Sequence, residues 1–141
     1  MASASAHLID TLSGIALFAD VGAAELNSIA HDVDERRFAD GERIIRQGLS
    51  GSAFYLIIEG EASIRLDGKD YGTLGRGDFF GEISILLGEP PVADIVAAHD
   101  LRCAIIAGPA LEAFMLAHPT VLYRILKAEA RKLQRATAWR T

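Results

Sequence analysis

The chain holds one cysteine, Cys103, in 141 residues, so no disulfide can form within it. No apolar run approaches the roughly 20 residues that a membrane-spanning helix needs. Met1 to Ala6 lacks the basic start and long apolar stretch of a secretory signal. Both absences set the expectation of a cytoplasmic protein with no membrane partner. Basic residues are outnumbered, 14 Lys and Arg against 19 Asp and Glu, for a net charge of −5. That balance argues against general affinity for nucleic acid, which needs a basic surface. The four histidines, His7, His31, His99 and His118, are scattered, and no histidine or cysteine stands at metal-ligand spacing. Ser84 has no recognisable His/Asp partner, and Gly81-Glu82-Ile83-Ser84 is not a nucleophile elbow. Glu82 and Glu89 form no more than an imaginable acid/base pair. The expectation is a protein that is not an enzyme and needs neither metal nor cofactor.

What is present is an ordinary globular composition, 50% hydrophobic and 23% charged, of a length suited to one domain spanning 1–141 with one core. The charge is uneven. From Tyr123 onward there are six bases (Arg124, Lys127, Arg131, Lys132, Arg135, Arg140) and one acid, Glu129, so residues 1–122 carry eight bases against eighteen acids. A basic tail on an acidic body suits an acidic partner or a second copy, and equally a solvated helix face. Cys103 lies in the apolar run Cys103-Ala104-Ile105-Ile106 and is expected to be buried and inert.

The hydrophobic period divides the chain in three. Within 1–35, His7–Ser13 and Ala23–Val33 read as helices, the second from the stripe Ala24, Leu26, Ile29, Ala30 and Val33. Within 36–107 the period falls to two. Phe38, Arg43–Arg46, Phe54–Ile58, Ala62–Leu66, Val92–Ala98 and Leu101–Ala107 read as strands, punctuated by Gly41, Gly48 and Gly51. Asp67-Gly68 marks a type I′ hairpin, whose two central residues need positive φ. Many short strands with glycine punctuation suggest a barrel or roll. Glu82–Leu87 interrupts them as one short helix, stopped by Gly88 and Pro90. Within 109–137, Pro109 opens a helix over Ala110–Ala117. A last helix runs from about Thr120 toward Arg135, with Leu122, Leu126 and Leu133 on one face and Ile125 and Ala136 flanking.

At this point the chain resembles the cyclic nucleotide-binding domains, the sensing units of catabolite-activator-type regulators and protein kinase A regulatory subunits. The resemblance rests on Leu17-Phe18, Glu25-Leu26, Phe38-Ala39-Asp40-Gly41-Glu42, Arg46-Gln47-Gly48, Phe54-Tyr55-Leu56-Ile57 and Glu59-Gly60. It extends through Leu74-Gly75-Arg76-Gly77-Asp78-Phe79-Phe80-Gly81-Glu82, all in the family's order and spacing, and covers roughly Leu17 to Leu133. It implies an α+β fold: an antiparallel β-roll, double-stranded and jelly-roll-like, with N-terminal helices, a short phosphate-cassette helix and C-terminal helices. The cassette spans 79–94. Gly81 lets backbone approach a ligand closely. The helix beginning at Glu82 offers free N–H groups and a positive dipole end to an anion. The resemblance assigns Glu82 to the ribose 2′-OH, and Ile83 and Ser84 to the helix start, where a small residue keeps the site open. For Gly81 and Glu82 the plainer alternatives are a turn glycine and a first-turn helix acid.

The cassette then departs from the family. Where the family has an arginine, two small residues and a threonine or serine, this chain has Pro91, Val92, Ala93 and Asp94. The arginine position falls on Pro91, or on Val92 if the loop is one residue longer. Asp94 stands at the hydroxyl position, where its charge would repel a phosphate. A hydrogen bond to a charged group is worth about 1.5–3 kcal/mol, so losing the arginine lowers affinity roughly ten- to a hundredfold. Arg124 or a later base of the tail is a conceivable substitute. Two readings stay open. One is a sensor of a small anionic ligand, cyclic AMP or cyclic GMP held weakly or a different molecule in their place. The other is a ligand-independent interaction module. The last helix is expected to form a homodimer, although Glu129 lies on its stripe. The chain ends without room for a helix-turn-helix, so no DNA-binding domain is expected and output would pass through an effector protein. Trp139 is placed as a lid on a bound base, a plug in a dimer, or a frayed end.

Overall fold

The computed structural model describes residues 2–49 and 53–137; Gly51, Trp139 and Arg140 lie outside them. Two helices, α1 (Ala2–Ser13) and α2 (Ala23–Asp32), flank a short 3-10 turn at Ala16–Phe18. Six strands follow: β1 (Asp34–Arg37), β2 (Arg43–Ile45), β3 (Ala53–Leu66), β4 (Lys69–Leu74), β5 (Phe79–Phe80) and β6 (Asp94–Ala107). Helix α3 (Glu82–Leu87) separates β5 from β6, and α4 (Gly108–Ala117) and α5 (Pro119–Thr137) close the chain. Every strand pairing is antiparallel, in the order β1-β6-β3-β4, with β2 on β6 and β5 on β3. This is the antiparallel β-roll with flanking helices.

The sequence suggests two short strands on either side of Glu59-Gly60 and two more around His99-Asp100. The structure makes each pair one 14-residue strand. The interruptions are kinks in a continuous ladder: the β3–β6 register shifts on both sides of Glu59. Gly60 has φ +84, and opposite it His99 and Asp100 also take positive φ. A Cβ on Gly60 would meet the backbone oxygens of His99 and Asp100 at 2.6 Å, so only glycine allows the two strands to bend together here. Asp67 and Gly68 have φ +51 and +80, the signature of the I′ turn that joins β3 to β4. Phe38, read as a strand residue, lies just past β1; it is buried, and its N–H donates to the Leu101 carbonyl.

The bent ladder separates two apolar clusters. Phe54, Leu56 and Ile58 point toward the helices and pack with Leu12, Ile29, Leu111, Phe114, Val121 and Ile125. Ile57 and Ala62 point into the roll, with Phe38, Ile45, Phe80, Ile95, Leu101 and Cys103. Burial on both faces explains why Phe54–Ile58 is apolar at every position. Burial also pushes the Cys103 thiol up to about 12, which keeps it protonated.

Pro119 opens α5, and His118 caps α4 before it. The buried His118 ring meets Glu25 of α2 through Nδ1 at 2.9 Å. Helix α5 buries Val121 and Ile125, with Leu122 and Ala128 partly buried. The expected apolar face turns out to be split: Leu126 and Leu133 point outward, about two-thirds exposed. No described helix is long and apolar enough to cross a membrane.

Candidate functional site

A cavity of about 300 Å³ opens between α3, the loop at 88–93, the roll and α5. Seven of the eight residues assigned to the cassette by sequence line it: Gly81, Glu82, Ile83, Ser84, Pro91, Val92 and Ala93. Ile45, Ile64, Leu74, Phe79, Phe80, Leu87, Pro90 and Ile95 make the rest of the wall largely apolar. The paired phenylalanines of β5 are split between the two cores. Phe80 stacks on Tyr55 inside the roll at 4.9 Å between centroids, and Phe79 packs among the helices.

Gly81 initiates α3 in the left-handed region, φ +92, and a Cβ there would lie 2.3 Å from the Ala53 carbonyl oxygen. The close approach this glycine permits is made by β3 itself. Ser84 is also occupied: its hydroxyl donates to the Glu89 carbonyl, and Gly88 closes the turn with positive φ. The side chain of Asp94, expected at the phosphate position, does not line the cavity. Its Oδ1 accepts the Gln47 N–H at 2.7 Å and its Oδ2 lies 3.7 Å from Arg43, so it joins the start of β6 to the end of β2. Pro91 accepts a hydrogen bond from the Gly48 N–H through its carbonyl, and Val92 is 79% exposed.

No arginine lines the cavity among the described residues. Arg124 is committed elsewhere, donating to the Leu17 and Ala19 carbonyls at 3.1 and 2.6 Å. Arg102 is held by Glu35 and Glu59. The one cation lining the cavity among the described residues is Lys132 of α5, one of the later tail bases that the sequence offers as a conceivable substitute for the arginine. Its Nζ lies 3.7 Å from Glu82, 3.1 Å from Glu129 and 4.4 Å from the centre of the Phe79 ring. Glu82 is 2% exposed. Burial, and then a hydrogen bond with the Glu129 carboxyl, push its carboxyl up to about 7 against the opposing pull of Lys132. The acceptor that the resemblance reserves for a sugar hydroxyl is thus occupied by two side chains of α5. Glu129 faces inward to this cluster and is absent from the outward apolar face.

The model of the cyclic nucleotide-binding domain matches residues 35–118, which contain the roll and the cassette. The cAMP-dependent protein kinase regulatory subunit of Mycosarcoma maydis is 38% identical over 91 residues, 62% of this chain and 17% of that protein. The catabolite activator protein of Thermus thermophilus superposes with a TM-score of 0.77 at 27% identity, covering 86% of this chain and 60% of the other. The regulatory subunit of a cAMP-independent protein kinase A from Trypanosoma brucei superposes with a TM-score of 0.76 at 25% identity, covering 90% and 46%. The chain therefore spans less than two-thirds of each of these relatives.

Proposed function

The chain belongs to the cyclic nucleotide-binding domain family, and from that premise we propose that it is a regulatory, non-catalytic domain whose cassette holds a cyclic nucleotide weakly or takes a different small ligand. The observation that carries this reading is the cavity's polar lining. Glu82 is kept, but Pro91 and Val92 stand where the resemblance places the arginine, and Lys132 is the only cation in the wall among the described residues. A cyclic phosphate would enter an apolar wall without the bidentate partner that offsets its desolvation. Among the relatives, one is the regulatory subunit of a cAMP-dependent protein kinase and another that of a cAMP-independent protein kinase A, which is in keeping with a cassette of altered ligand preference. The regulator acts in the cytoplasm on an effector protein, as the sequence suggests. Calorimetric titration of the wild type with cyclic AMP and cyclic GMP tests the reading. Weak or undetectable heat for both is the expected result, and tight binding of either would require another residue to replace the arginine.

A second reading rests on α5. Tyr123, Leu126, Ala130 and Leu133 follow spacings of three, four and three, the seam of a coiled coil, and all four are exposed. A second α5 packed on that face would make a homodimer, and the domain would then act as an interaction module.

A further inference from the structure

On the other side of α5 from its exposed seam lies a second cavity, of about 400 Å³, between α5, the 3-10 turn and the loop leading into β5. Five cations line it: Arg124, Lys127, Arg131, Lys132 and Arg135. Among the described residues Asp78 is the only acid in its wall, and that carboxylate already accepts the Gly75 N–H at 2.8 Å. Arg124 and Lys132 have the protein partners described above. Lys127 stands over the Tyr123 ring at 5.8 Å, and neither it nor Arg131 or Arg135 has a carboxylate within ion-pair distance among the described residues.

This concentration of positive charge is unusual for its setting, since residues 1–122 carry ten more acids than bases. Repulsion between like charges on one helix face is destabilising unless something balances it. The acidic body repels extended polyanions such as nucleic acid or an anionic membrane at long range. A compact anion that fits within the cavity meets the cations at short range instead. Arginine forks suit phosphate oxygens, and three cations with no carboxylate partner among the described residues call for more than one negative charge. We propose that this groove is a binding site for a small molecule bearing two or more adjacent phosphate groups, beside the cavity at Glu82, with which it shares Lys132 and Phe79 in its wall.

The test uses inorganic tripolyphosphate as the probe, titrated calorimetrically into the full chain at one fixed, near-physiological ionic strength. Wild type should bind one equivalent. Lys127→Ala with Arg131→Ala should weaken binding at least about tenfold, the loss of roughly one charge-assisted contact or more. The charge-matched control Arg37→Ala with Lys69→Ala, at exposed positions on β1 and β4, should leave binding within about twofold of the wild type. Circular dichroism melting identifies any variant that fails to fold; Arg135→Ala then serves as the alternative. No binding by the wild type would overturn the proposal. So would equal losses in both double variants, which means non-specific attraction. A concentration-dependent rise in mass that Lys127→Ala with Arg131→Ala abolishes would also overturn it, because the groove would then hold a second copy's acidic surface. Lys127 and Arg131 do not line the Glu82 cavity, so cyclic AMP titrations of the same variants report on that cavity separately.

Discussion

At the scale of single residues, the site is governed by what each group already touches. Gly81 and Gly60 are both required by neighbouring backbone, and the second makes the cleaner test because it does not line the cavity. A left-handed conformation costs an ordinary residue roughly 1–2 kcal/mol, and the collision with His99 and Asp100 adds to that. Gly60→Ala should therefore destabilise the fold by more than about 2 kcal/mol in urea melts. Gly41→Ala, at φ +86 with no heavy atom within 4 Å of its Cβ, should lose only the conformational part. Equal losses would refute the collision. Glu82 makes a pH prediction. A carboxyl whose pKa is raised stabilises the fold in its protonated form. That contribution is complete below about 4.5 and is lost as the pH rises through about 7. The loss from this group is on the order of 3 kcal/mol. Glu82→Gln, which mimics the protonated acid, should flatten that part of the stability profile; parallel profiles for variant and wild type would count against a Glu82 carboxyl kept protonated by its burial. Sequence identified Glu82 but not its partners, because Glu129 and Lys132 lie 47 and 50 positions downstream and only the docking of α5 brings them in. The role of Asp94 was equally hidden, since the Gln47 N–H that occupies it comes from another strand end.

Among the elements, those with one strong local signal were legible. Helix α3 matches its expected bounds, Glu82–Leu87, because glycines stop it at both ends. The β3–β4 hairpin follows from Asp67-Gly68. The long strands β3 and β6 were read as fragments, because Gly60 and His99-Asp100 look like breaks until the ladder across them is seen. Helix α5 was found, but its faces were assigned by apolar content alone. The body takes the β-branched Val121 and Ile125, which leaves Leu126 and Leu133 outside. That exposed seam predicts self-association. Light scattering at micromolar concentration should give a dimer mass for the wild type and a monomer mass for Leu126→Glu, which keeps helix propensity while placing charge in the seam. A monomeric wild type would remove the homodimer.

For the whole molecule, the family frame was legible from the ordered glycines and aromatics, and the match over 35–118 agrees with it. The molecule keeps the frame of the cyclic nucleotide-binding domain, and its cavity, with no arginine in the wall among the described residues, is engaged by α5 at Glu82. If the missing arginine limits binding, restoring one should strengthen it, and calorimetric titration of cyclic AMP into the wild type, Pro91→Arg, and Pro91→Arg with Glu82→Ala decides this. The substitution keeps the backbone carbonyl that accepts from Gly48, and Asp94 is left to hold Gln47. Pro91→Arg should gain at least about tenfold, one added charge-assisted contact, with most of it lost again when Glu82 is removed. Tight binding by the wild type, or no gain in a folded Pro91→Arg protein, would contradict it.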